Sequence, residues 1–137
     1  MARYRLLVLF WMTFLPLAAE DADLRQRFAG TWEARFKGTV FCTIKLKAGE
    51  RITGATYACS IHVNQAGELE EPQPSDDPDT PEPLLSPEIE GDTLSFEMAD
   101  ESDVHLKMSL KLVGDGAAEL RFLNAPVEIK PIRFERK

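Results

Sequence analysis

The sequence predicts an all-β domain, an antiparallel up-and-down meander of six to eight strands behind one short N-terminal helix. Three observations support this prediction. Apolar and polar residues alternate through residues 32–47, shorter alternating segments recur toward the C-terminus, and turn-forming residues separate these segments. A period of two is typical of a strand with one buried and one exposed face. Short strands joined by tight turns indicate a barrel or a sandwich.

The helix and the first strand open the domain. Residues 21–29 predict the helix, because an aspartate is available to cap its first turn and Gly30 ends it. In residues 32–47 every even-numbered residue is apolar or glycine, and Phe41 is the one apolar residue at an odd number. Gly38 is expected to bend this long segment or to divide it into two strands.

A second strand is predicted over residues 52–63, with a change of parity near 54–56 that indicates a bulge. It leads into residues 68–88, which are acidic, rich in proline and free of lysine and arginine. Prolines deny backbone donors and like charges repel, so we expect an extended loop here. The aspartates within residues 76–79 are weak candidates for Ca²⁺ binding, but a solvated loop is the better interpretation.

The C-terminal half continues the meander. Alternating apolar residues predict strands within residues 93–98, 104–112, 118–122 and 132–134, after a short one at Ile89. A lipid-facing outer-membrane barrel has the same period. The short strands and the acidic loop favour a barrel whose apolar face points inward.

The first nineteen residues have the layout of an export leader. Arg3 and Arg5 precede an apolar run, and Ala19 is a suitable cleavage site. The run is shorter than the roughly 20 residues that span a bilayer, so a membrane anchor is the less favoured alternative. A signal peptide at residues 1–19 leaves one domain at 20–137. We expect this domain to be secreted or periplasmic, without membrane insertion.

Charge and the chemistry-bearing residues exclude several function classes. All 23 acidic residues follow residue 19, together with 14 of the 16 basic ones, in a chain of net charge −7. Nucleic acid and anionic membranes are therefore not expected as partners. His62 and His105 have no cysteine or carboxylate at metal-ligand spacing and are interpreted as surface residues. We expect a monomer that is not an enzyme and needs no metal or cofactor.

Cys42 and Cys59 are the only cysteines. An even count in an exported protein favours a disulfide, with two buried free thiols as the alternative. Both residues fall on the apolar parity of their predicted strands and are expected to face the core. A simple hairpin does not place them opposite each other, so the bond requires a bulge or a stagger.

A short helix, then Gly30, Thr31 and Trp32 opening the first strand, then a meander, resembles the lipocalins and the wider calycin barrels. In those families the tryptophan closes one end of the barrel and a late arginine lies across it. The resemblance therefore implies a barrel-end plug made by Trp32 with Arg133 or Arg136. The layout is also similar to that of bacterial periplasmic inhibitors of secreted metalloproteases, which insert their N-terminus into the protease.

These observations lead us to expect an exported, non-catalytic binding module for a small apolar ligand or a protein partner. A protease inhibitor is the alternative, and a secreted enzyme of unknown type is less favoured. A filled core is the favoured interpretation of so small a barrel, with a pocket as the alternative. Should there be a pocket, apolar-face aromatic and methionine side chains are the candidate ligand contacts: Phe36, Phe96, Met98, Met108 and Phe122.

Overall fold

A computed structural model of the chain describes residues 22–73, 78–99 and 105–137. The predicted leader at residues 1–19 lies outside these ranges, as do residues 76 and 77 of the candidate Ca²⁺ segment. The described part is one helix, α1 (22–28), and one antiparallel sheet. The strands are β1 (Gly30–Phe36), β2 (Thr39–Lys47), β3 (Thr53–Tyr57), β4 (Glu82–Pro83), β5 (Leu85–Glu90), β6 (Thr93–Ala99), β7 (His105–Gly114), β8 (Ala117–Phe122) and β9 (Ile132–Arg136).

The sheet curls into a nearly closed barrel. Its order is β4-β3-β2-β1-β9-β8-β7-β6-β5, so the first and last strands of the meander are paired. Its two edge strands, β4 and β5, are separated in the chain by Leu84 alone. The chain thus passes directly from one edge to the other, which leaves little free edge. The all-β meander with a short helix is confirmed, whereas the described strands number nine rather than six to eight.

The additional strand comes from the acidic segment. Ala55 pairs with Pro83 and Thr56 with Glu82, which gives the free edge of β3 a partner. Leu84 is buried, and its amide donates to the Gly54 carbonyl at 2.9 Å. The loop predicted to run to residue 88 therefore ends earlier, at β4. The free energy gained by closing the barrel outweighs the poor strand propensity of the prolines. This gain cannot be predicted from the local composition of the segment.

The long alternating segment divides into two strands at Gly38, which is one of the two outcomes expected for it. Lys37 and Gly38 both have positive φ, 51° and 83°, which is the backbone of a tight two-residue hairpin turn. Ala34 pairs with Cys42 and Arg35 with Val40, so Phe41 is the extra residue of a bulge. That residue, buried in the structure, is the same one that breaks the alternation of the sequence.

The bond between Cys42 and Cys59 is present, and an offset at the end of β3 makes it possible. Thr43 pairs with Tyr57, but the next backbone contact joins Phe41 to Ser60, whose amide donates at 2.9 Å. The β3 side therefore contains one residue more, and Ala58 absorbs it with a φ of 48°. Cys42 faces the core as expected, whereas Cys59 is exposed, because the offset turns it out of the strand. A disulfide indicates an oxidising, exported environment.

The core fills the barrel from the end where α1 packs. Residues at alternate positions of the strands point inward and are buried. Burying large apolar side chains is the main stabilising term in such a domain. The largest side chains that are fully buried are Phe28, Trp32, Ile44, Leu94, Leu110, Leu120 and Phe134, with Cys42 beside them.

Candidate functional site

One end of the barrel, here called the closed end, is covered by α1 and sealed by Trp32. The Trp32 indole N–H donates to the Phe28 carbonyl at 2.8 Å, and both side chains are fully buried. The Arg136 guanidinium lies over the Trp32 ring, 4.8 Å from its centroid, and donates to the Arg27 carbonyl. Two carbonyls at the C-terminal end of α1, which have no partner within a helix, are thereby satisfied.

Of the two arginines that the sequence offered for this role, Arg136 is the one at Trp32. Trp32 pairs with Arg136 across β1 and β9, so the two side chains leave the sheet on adjoining positions. Arg133 points to solvent on β9, where its Nε lies 3.3 Å from a Glu135 carboxylate oxygen. A cation over an aromatic face stabilises by about 0.5–1 kcal/mol at an exposed site. The closed end is therefore held by stacking and hydrogen bonds together.

The opposite end, here called the open end, contains a cavity of about 330 Å³. The Met98–Leu106 and Met108–Phe122 pairs of β6, β7 and β8 form one wall, and the Thr56–Glu82 pair of β3 and β4 borders another. The loops after β3 and β8 complete it. Among the residues that the structure describes, the lining comprises Thr56, Cys59, Ile61, Val63, Glu82, Met98, Ala99, Leu106, Met108, Phe122, Ala125, Pro126 and Ile129.

The structure separates the five candidate ligand contacts. Met98, Met108 and Phe122 line the open-end cavity. Phe96 belongs to the core between the two ends, with 3% of its surface exposed. Phe36 packs half-buried at the edge of the core, and the Lys37 ammonium lies 5.5 Å from its ring. The interior is therefore filled toward Trp32, and a depression lined by Met98, Met108 and Phe122 lies at the other end.

Several lining residues were not singled out from the sequence, and Thr56 is the main one. It lies opposite Ile44, a fully buried residue of β2, and so on the inward face of β3. A polar residue at an inward position could have indicated a site, but this position becomes evident only when β3 is aligned with β2. The loop residues gave no comparable signal, because Ile61 and Pro126 meet only when the barrel has closed.

The loop after β3 is held against the loop after β8 by a close approach of their backbones. Gly67 is buried with a φ of 78°, and its carbonyl accepts from the Lys130 amide at 3.0 Å. A Cβ added to Gly67 would collide with the Glu128 carbonyl oxygen. Only glycine satisfies both the conformation and the space. The rim of the open-end cavity is therefore a defined structure.

A single asparagine fixes the start of the loop after β8. The Asn124 side-chain oxygen accepts from the Lys107 amide at 2.8 Å, and its amide group donates to the His105 carbonyl at 3.0 Å. Side-chain amides commonly replace a missing ladder partner in this way. The loop that contributes Ala125 and Pro126 to the cavity thus starts from a fixed point on β7.

A second depression, of about 540 Å³, lies beside the closed end between α1, the β2–β3 turn and β5. Its charged residues have both signs: Arg25 and Arg51 stand beside Glu50 and Glu88. Mixed charges on an exposed groove are common on protein surfaces and define no one ligand class. The open-end cavity, with its contiguous apolar wall, is the better candidate site.

The described part of the chain has neither a cluster of metal-ligating residues nor a helix suited to crossing a membrane. Within residues 22–73, 78–99 and 105–137, no three histidine, cysteine, aspartate or glutamate residues gather as a metal site. His105 Nδ1 lies 3.8 Å from a Glu97 carboxylate oxygen on the barrel exterior. In the described part of the chain, no helix has both the length and the hydropathy to cross a bilayer.

Compared with known proteins, the chain matches no family model, no curated protein and no solved structure at a significant level. The nearly closed barrel is compatible with a lipocalin-like fold. The geometry of the two ends is therefore the basis for a function.

Proposed function

We propose that this protein is an exported, non-catalytic, lipocalin-like barrel that binds a small, mainly apolar molecule in the open-end cavity. The observation that carries this proposal is the cavity itself, about 330 Å³ in volume and walled by Met98, Leu106, Met108 and Phe122. Ligand sites are typically concave and largely apolar, with volumes from about 300 Å³ upward. The cavity lies at the lower end of that range, which fits a ligand of one or two rings or a medium-length chain.

The composition of the apolar wall also supports binding. Met98 and Met108 have unbranched, polarisable side chains that adapt to ligands of different shape. Phe122 is half-buried beside them, with space on its cavity side. Burying such a wall against a ligand removes apolar surface from water, which favours association. The disulfide supports a place outside the cytoplasm, either secreted or periplasmic.

Titration with N-phenyl-1-naphthylamine, a neutral dye that fluoresces in apolar surroundings, tests the proposal. We expect saturable binding of about one dye per chain. Replacing Leu106 by Trp should weaken binding at least tenfold, because Leu106 is a half-buried wall residue and the larger ring would occupy the cavity. Val113→Trp is the matched control, since Val113 is exposed on β7 outside the cavity. Equal loss in both variants, or no saturable binding by the parent protein, would contradict the proposal.

Trp32 fluorescence is not a suitable probe of this cavity. The indole is fully buried against Phe28 and Arg136 at the closed end and is not part of the cavity lining. A ligand at the other end leaves these contacts in place. A dye that reports its own surroundings, or calorimetry, is therefore the appropriate measurement.

The protease-inhibitor alternative acts through either the N-terminus or the loop at residues 68–88, and the first of these modes depends on a free N-terminal segment. Residues 22–28 form α1 on the closed end, and Phe28 is fully buried there. Inserting this segment into a protease cleft would uncover Phe28 and break the contacts of Trp32 and Arg136. This geometry favours a small ligand over a protein partner bound in that way.

A further inference from the structure

Both methionines that follow the predicted leader lie at the open-end cavity. The chain has four methionines, and two of them fall within residues 1–19. The other two, Met98 on β6 and Met108 on β7, line the cavity. Met98 pairs with Leu106, two residues from Met108, so the two methionines occupy diagonal positions on the inward face of the same strand pair. The two thioethers therefore belong to one wall.

These two side chains are nearly, but not fully, buried. Met98 is 8% exposed and Met108 is 6% exposed. Because both point into the barrel, the exposed part faces the open-end cavity, which has a volume of about 330 Å³. A water molecule occupies about 30 Å³ in the liquid, and hydrogen peroxide is only slightly larger. The cavity therefore has space for a small oxidant beside the thioether wall.

The cysteines do not compete with these methionines for an oxidant. Thiolates react readily with peroxides, and methionine is the other sulfur side chain that proteins lose to oxidation. Cys42 and Cys59 are the only cysteines and are bonded to each other, so neither is a free thiol. The reduced sulfur of the domain is thus concentrated in the wall of one cavity.

We propose that Met98 and Met108 form an oxidation site, at which a peroxide that enters the open-end cavity converts each thioether to a sulfoxide. One oxygen atom passes from hydrogen peroxide to the sulfur, which loses two electrons, the O–O bond breaks and water leaves. A sulfoxide is polar, whereas the thioether is apolar. An apolar ligand that covers it displaces its water without replacing the hydrogen bonds. Oxidation therefore lowers the affinity of the cavity for apolar ligands, a consequence that rests on the proposed function.

Peptide mass spectrometry after treatment with hydrogen peroxide tests the site itself. We expect one added oxygen on Met98 and one on Met108 in the folded protein, at a rate that urea below the unfolding transition leaves unchanged. A rate that follows the unfolded fraction as urea rises would show that peroxide reaches the sulfurs only through unfolding, and the inference would be wrong. No oxidation at a dose that oxidises free methionine overturns it as well.

A matched pair of variants tests the route through the cavity. Leu106→Trp places a larger ring in the cavity beside Met98, its cross-strand partner, and should slow oxidation of Met98 at least threefold. Val113→Trp adds the same ring at an exposed position of β7 outside the cavity lining and should leave the rate unchanged. Thermal unfolding verifies that both variants are folded. Equal rates in the two folded variants contradict entry through the cavity.

The affinity for N-phenyl-1-naphthylamine, measured before treatment and after removal of the peroxide, tests the consequence. We expect at least tenfold weaker binding by the oxidised protein, which should remain folded by circular dichroism. In the double variant Met98→Leu with Met108→Leu, the same treatment should change the affinity less than twofold, because leucine has a similar volume and no sulfur. An equal loss in the double variant, or an oxidised parent protein that is unfolded, contradicts the inference.

The two kinds of measurement distinguish this inference from the proposed function. If the untreated protein does not bind the dye, the proposed function fails, while the oxidation site still stands or falls on the mass spectrometry. If the dye binds equally well before and after complete oxidation of both methionines, the binding function stands and the effect assigned to oxidation is wrong.

Discussion

The two ends of the barrel are built from the same strands but differ in how completely they are packed. At the closed end, Trp32 fills the interior and its N–H, the Arg136 guanidinium and two helix carbonyls satisfy one another. At the open end, a cavity remains and Thr56 Oγ1 is buried without a partner among the described residues. Stability is thus concentrated where α1 packs, and the incompletely packed end is where a ligand has space.

Removing the plug should have the largest effect on stability. Trp32→Ala deletes a fully buried indole and leaves the Phe28 carbonyl without its donor, so we expect a loss of about 3–5 kcal/mol in the free energy of unfolding. Phe122→Ala is the comparison at the open end. It should cost about 1–2 kcal/mol, because the ring is half-buried and already borders a cavity. Urea denaturation measures both, and equal losses would contradict the difference between the ends.

The rim of the open end should be the next most sensitive place. Gly67→Ala forces a Cβ into the Glu128 carbonyl and strains a left-handed backbone, with an expected loss of about 2–4 kcal/mol. Gly38→Ala has a similar φ but open space around the new Cβ, and should lose about 1 kcal/mol. Thermal unfolding of the two variants compares them. The Gly67 variant should also bind the dye more weakly, since the loop contact at the cavity changes.

The smallest effect concerns the two arginines of β9. Arg136→Gln removes the cation over Trp32 and the contact to the Arg27 carbonyl, so we expect a loss of about 1–2 kcal/mol. Arg133→Gln removes only an exposed pair with Glu135 and should change stability by less than about 0.5 kcal/mol. Neither variant should alter dye binding. A change in binding with Arg136→Gln would show that the two ends are coupled.

Much of the fold was predictable because it depends on the order of apolar, polar and turn-forming residues within short segments. The alternation of apolar and polar residues predicted most of the strands, and Gly38 predicted the first hairpin. Gly30 and Trp32 predicted the strand that begins at the closed end. Phe41 shows how far this extends, since the residue that breaks the alternation is the bulge residue. The disulfide between Cys42 and Cys59 was predictable from the even count of cysteines together with the predicted export leader.

The site was less predictable because it depends on distant segments. Met98, Met108 and Phe122 follow from their parity, but parity does not distinguish a residue at a cavity from one in the core, and Phe96 has the same parity as Met98. The choice between Arg133 and Arg136 depends on the register of β9 against β1. Exposure of Cys59 depends on an offset absorbed at Ala58, beyond the end of β3.

By itself, the sequence determined the class of the fold, the position of most strands and most of the residues that face inward, but it extended β3 to residue 63 and assigned β4 and the start of β5 to a loop. These properties depend on the spacing of apolar side chains along the chain, which is a local quantity. The tertiary structure alone decided that β4 closes the barrel, that Arg136 covers Trp32 and that Thr56 borders a cavity. Each of these depends on which strands become neighbours, and that is settled by the free energy of the whole barrel.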